Sequence, residues 1–169
     1  MKASPKMKGP EVLALGIRSE IDAAAFYGRI RARVKNVLLR QKLDFLVVEE
    51  KQHRKLLERI FSQRFGRQKP VLPADSFLSK SVPPKADELT VKDLFGLALK
   101  AEKFSEEFYK DAAASSQDDD GRSLLTYLSR VERSHYFMIK SEIDLLAKFP
   151  DYYDVEDTHI GRDMIHVGP

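Results

Sequence analysis

The feature that most constrains the fold is a spacing. Glu50 and His53 stand three residues apart in VEEKQHRKLL, and Glu132 and His135 repeat the pattern in VERSHYFMIK, 82 positions further on. Each pair has another glutamate 30 residues upstream, Glu20 and Glu102, and each of these is followed seven residues later by a tyrosine, Tyr27 and Tyr109. A fold that honours the spacing must bring two copies of one helical pair together. The acid-x-x-His pattern recurs in Glu156 to His159 and Asp163 to His166, but neither copy lies in periodic sequence, and Thr126 stands where Glu156 would need its upstream glutamate. Those two copies are chance matches.

The apolar periodicity places every member of the repeat on a helix. Leu13, Ile17, Glu20, Ala24 and Tyr27 recur at three or four residues and predict a helix over about 11–33. Asn36 can cap a second helix, ending near Gly66, in which Leu43, Leu46, Glu50, His53, Leu57 and Phe61 share a face. Thr90, with Asp93 at the third helical position, opens a third along Phe95, Ala98, Glu102 and Tyr109, stopping around SSQDDDGRS. Leu125, Leu128, Glu132, His135, Ile139 and Ile143 define a fourth, closed by Pro150. The connector GRQKPVLPADSFLSKSVPPKADEL holds four of the eight prolines, which rules it out as a fifth long helix. At about 3.3 Å per extended residue it can still run the length of a bundle. The expectation is an all-α four-helix bundle over residues 1–150, with one long crossover between the second and third long helices. Residues 151–169 are expected to form an irregular C-terminal tail.

Composition narrows the chemistry. With no cysteine among 169 residues, disulfides, thiolate metal sites and iron-sulfur clusters are excluded, so a metal would be held by carboxylate and imidazole. The net charge of +3 conceals an asymmetry, since residues 1–69 carry 17 basic and 7 acidic side chains and the remainder carries 12 and 19. A basic half can serve nucleic acid, but no aromatic residues interleave the basic run, and solvated helix faces account for it. The N-terminal segment has too few consecutive apolar residues for a signal peptide or a membrane span, so a cytoplasmic protein is expected.

Residues i and i+3 project from one helix face, so Glu50 with His53 and Glu132 with His135 each present an oxygen and a nitrogen toward the bundle axis. Glu20 and Glu102 add a carboxylate from each partner helix. Four carboxylates and two imidazoles form the donor set of a dinuclear centre in a bundle core, with Glu50 and Glu132 as bridges. Buried without metal, the four acids would repel, whereas two divalent cations offset their charge. Mixed oxygen and nitrogen donors suit iron, with manganese as the alternative. Tyr27 and Tyr109 are either core aromatics or hydrogen-bond donors to the ligand carboxylates.

In SEIDAAAFY, VVEEKQH, KAEKFSEEFY and RVERSH the chain resembles rubrerythrin-like proteins of the ferritin-like superfamily, over residues of about 11–148. The resemblance implies two iron ions without haem, a homodimer or higher homo-oligomer, and reduction of hydrogen peroxide. Two departures stand out. The chain has no cysteine for a rubredoxin-type iron site, so electrons would come from a separate donor such as a rubredoxin. Where the family carries a further glutamate three residues after Glu102, this chain has Ser105, leaving Glu106 or Glu107 as partial substitutes. Two alternatives accompany the peroxidase reading: a ferroxidase using oxygen, and a non-enzymatic, metal-stabilised binding protein with a basic N-terminal half.

Overall fold

The computed structural model describes residues 9–66, 68–83, 88–149 and 151, so nearly all of the expected tail, with His159 and His166, lies outside the described residues. Among the described residues five helices follow in order: α1 (Gly9–Arg33), α2 (Val37–Phe65), α3 (Phe77–Ser81), α4 (Val91–Ser115) and α5 (Asp119–Lys148). The four long ones are the expected bundle. α3 is a short addition inside the proline-rich connector, whose described residues form no long helix.

Local chemistry sets the boundaries. The Asn36 side chain accepts from the Leu39 amide and starts α2, while Gly66 ends it at φ +72°, a left-handed conformation that costs glycine little. Thr90 and Asp93 make the reciprocal capping box that opens α4. α5 begins earlier than its apolar period, within the acidic turn: Asp118 accepts from the Gly121 amide, and Asp119 and Asp120 meet the positive end of the helix dipole. α3 has its own capping box between Ser76 and Ser79.

Cross-helix contacts fix the topology. Arg31 near the end of α1 pairs with Asp44 early in α2 at 2.7 Å, so these helices are antiparallel. Lys42 pairs with Glu142 and Arg64 with Asp118, making α2 antiparallel to α5. Tyr27 meets Glu102 while Tyr109 meets Glu20, making α1 antiparallel to α4. α4 is therefore parallel to α2, and the connector is the one long crossover. Two of these pairs, Lys42 with Glu142 and Arg64 with Asp118, join the basic first half to the acidic second half.

The apolar core is in two parts. One cluster holds Phe26, Ile30, Leu39, Leu43, Leu94, Phe95 and Ile139; the other holds Leu13, Ile17, Leu57, Phe61, Leu125 and Leu128. Between them, along every long helix, runs a belt of buried polar side chains. No helix among the described residues is long and apolar enough to cross a membrane.

Candidate metal centre

The belt consists of Glu20 on α1, Glu50 and His53 on α2, Glu102 on α4, and Glu132 and His135 on α5, none more than 3% exposed. The helical period puts each between apolar residues of the two cores: Ile17 and Tyr27 flank Glu20, and Leu46 and Leu57 flank Glu50 and His53. Burial of those neighbours, worth about 1.5–3 kcal/mol per large side chain, holds the charged groups inside. All six residues singled out by the repeat are brought together.

They form two overlapping groups, Glu20, Glu50, His53 and Glu132, and Glu50, Glu102, Glu132 and His135; within each, one donor atom per residue lies within 4.8 Å of every other. Glu50 and Glu132 belong to both. His53 Nδ1 lies 3.3 Å from Glu50 Oε2, 3.4 Å from Glu132 Oε1 and 3.7 Å from Glu20 Oε2. His135 Nδ1 lies 3.1 Å from Glu50 Oε1 and 3.8 Å from Glu102 Oε2. Glu50 thus turns one oxygen toward each imidazole, as a bridging carboxylate requires. The two rings stack with centroids 5.6 Å apart.

Both tyrosine hydroxyls are hydrogen-bond donors, and the pairing crosses between the halves of the repeat. Tyr27 on α1 donates to Glu102 Oε1 on α4, and Tyr109 on α4 donates to Glu20 Oε1 on α1. Each bond satisfies one oxygen of a terminal carboxylate and aims the other inward. Gly16 makes room for one of them, since a Cβ there would sit 3.1 Å from the Tyr109 hydroxyl. Glu106 pairs with Lys103 at 2.9 Å, and Glu107 is largely exposed. Neither belongs to the two groups, and Ser105 offers no carboxylate.

The electrostatics are those of buried carboxylates and imidazoles that shift one another strongly. Burial, reinforced by the Glu50 charge, pushes Glu20 well above the usual carboxylate range; burial with Glu132 and Glu50 does the same to Glu102. Burial, then Glu50 and Glu20, pushes Glu132 up to about 8. Burial also acts upward on Glu50, but the imidazoles of His135 and His53 close beside it outweigh that and hold Glu50 well below its ordinary value. Burial acts downward on both imidazoles and is overcome by the carboxylates around them, so His53 and His135 are raised. The metal-free cluster therefore retains protons that cations would replace.

The residues fit a pair of divalent metal ions. Both oxygens of Glu50, one each of Glu102 and Glu132, and both nitrogens of each histidine are buried without a hydrogen-bond partner, an arrangement costly unless something else coordinates them. Four carboxylates balance the charge of two divalent cations, with one imidazole in each half. Oxygen and nitrogen donors in this ratio suit iron or manganese.

Sequence periodicity did not reveal the cavity beside this centre. It is lined by Ser19, Ala23 and Ser105 together with Phe77 and Leu78 of α3. The Ser76-x-x-Ser79 capping pattern was the available signal for α3, masked by surrounding prolines.

Comparison with known proteins agrees with this architecture. A search of curated proteins found no match. A solved structure, the hypothetical protein Pfu-1136390-001 from Pyrococcus furiosus, superposes with a TM-score of 0.73 at 32% identity, covering 82% of this chain and 90% of that one. The rubrerythrin family model matches residues 11–143, which span all six belt residues and both tyrosines. The chain belongs to the rubrerythrin family.

Proposed function

We propose that this protein is a non-haem di-iron oxidoreductase that reduces hydrogen peroxide to water. The observation that carries the reading is the pair of buried Glu and His groups sharing Glu50 and Glu132. Glu20, Glu102, His53 and His135 would hold the ions terminally, with Glu50 and Glu132 bridging. Held there, a pair of ferrous ions would supply the two electrons that, with two protons, reduce hydrogen peroxide to two waters. The protein's part is to hold the donors in register, exclude bulk water from the belt, and keep the Tyr27 hydroxyl donating to Glu102 beside the cavity. No cysteine stands among these 169 residues, so a one-electron donor of the rubredoxin kind outside them would reduce the oxidised centre. Leu38, Phe45 and Val48 are about half exposed along one face of α2, which supports a homodimer or higher homo-oligomer.

The same donor set supports a second reading, a ferroxidase in which oxygen is the oxidant, because the geometry around Glu50 and Glu132 serves either molecule. Stopped-flow absorbance of the anaerobic, ferrous-loaded protein mixed in parallel with peroxide and with oxygen separates them. The peroxidase reading expects oxidation at least tenfold faster with peroxide. Faster oxidation by oxygen would replace it with the ferroxidase, and no reaction with either would overturn both.

A further inference from the structure

The connector does more than return the chain to the start of α4. Ser76, just before α3, donates to Asp22 Oδ2 on α1 at 2.6 Å, and Asp22 is itself held by Arg18 at 2.8 Å. On the opposite side Phe77 stacks on Phe104 of α4, with ring centroids 4.1 Å apart and planes within 7°. α3 is thereby fastened to both α1 and α4, across the gap between them.

Beneath it lies the small cavity. Its lining includes Glu20, Glu102 and Glu132 of the metal centre on one side and Phe77 and Leu78 of α3 on the other, Leu78 being only 5% exposed. The space is small: the centre of a water molecule can move within about 20 Å³, against the roughly 10–15 Å³ needed to hold one water. Ser105 lies in the wall, and its short side chain leaves the space open.

We propose that α3 is a size filter over the metal centre. Leu78 and Phe77 confine the cavity to molecules of two or three non-hydrogen atoms, so that hydrogen peroxide or oxygen enters and organic hydroperoxides do not. The proposal rests on the metal-centre reading above and adds the residues that set its substrate class. Leu78 is a specificity-determining residue here; it binds no metal and touches the guest only through its side-chain carbons.

The test uses the full-length, cobalt(II)-loaded protein and follows its visible absorption while formate or benzoate is added, two carboxylates of the same donor chemistry and different size. In the parent protein, formate should perturb the spectrum and benzoate should require at least tenfold more. In Leu78→Ala the benzoate requirement should fall at least tenfold while that for formate changes less than threefold; Ser105→Leu, which fills the cavity from below, should weaken formate at least tenfold. Equal response to both carboxylates in the parent protein would overturn the filter, as would an unchanged ratio in Leu78→Ala. Should Leu78→Ala fail to fold, unweakened formate binding in Ser105→Leu would overturn it alone. Failure of the cobalt protein to form at all would instead strike the metal-centre reading. In the iron-loaded protein, oxidation by tert-butyl hydroperoxide relative to hydrogen peroxide should rise at least tenfold on Leu78→Ala.

Discussion

At the scale of single residues, Glu50 carries the largest consequence, because it faces both imidazoles and belongs to both donor groups. Glu50→Ala should reduce bound metal from two ions per chain to one or none, as elemental analysis of the loaded protein would show; unchanged stoichiometry would refute the bridging role. Tyr27→Phe removes the hydrogen bond that aims Glu102 inward and should lower metal affinity about 10–100-fold in a chelator competition, the usual scale for such supporting contacts. Affinity should also rise with pH up to about 8, since cations must displace protons that Glu132 keeps to about that pH. These six ligand candidates were legible in the sequence because an i, i+3 pair on a helix face leaves a period, and its repetition 82 residues later is visible without a structure. The destinations of the tyrosine hydroxyls were not legible. Whether Tyr27 reaches its own half or the other depends on the α1 to α4 packing, and it crosses to Glu102.

At the scale of elements, the caps were the most readable signals. Asn36 and Thr90 both stand where the sequence put them, because a side-chain oxygen beside unpaired amides is a local requirement. Asn36→Ala should cost about 1 kcal/mol, or about 2–4 °C in a thermal melt of a chain this size, with metal content unaffected. The start of α5 was less readable, since Asp118, Asp119 and Asp120 look like turn residues until one of them caps the helix. α3 was hidden for a related reason: proline forbids a long helix but leaves room for a five-residue one between Pro73 and Pro83. What holds α3 in place, the Ser76 bond to Asp22 and the Phe77 stack on Phe104, joins residues far apart in the chain.

At the scale of the whole molecule, a belt of buried charge divides the hydrophobic core in two, so the bundle's stability and its metal content are linked. Ions present at a thousand times their dissociation constant stabilise a fold by about 4 kcal/mol per site, so removing both should lower the melting temperature by more than about 10 °C. The metal-free protein should also lose stability as pH rises from 5 to 8. Over that window the fold binds more protons than the unfolded chain, because Glu132 titrates near 8 instead of 4.5 and both histidines are raised. Glu50, shifted downward, gives its contribution above its ordinary range and does not reverse the sign. Calorimetry at the two pH values, with and without metal, would check this; a metal-free melt that rises with pH would contradict it. The four-helix topology was legible because two local pairs and one long connector leave little choice, whereas the division of the core emerges only when all four faces meet. Anomalous diffraction from crystals of the iron-loaded protein would locate the ions. Two peaks should lie between Glu50 and Glu132, one beside His53 and one beside His135; a single peak, or iron only at the surface, would contradict the dinuclear assignment.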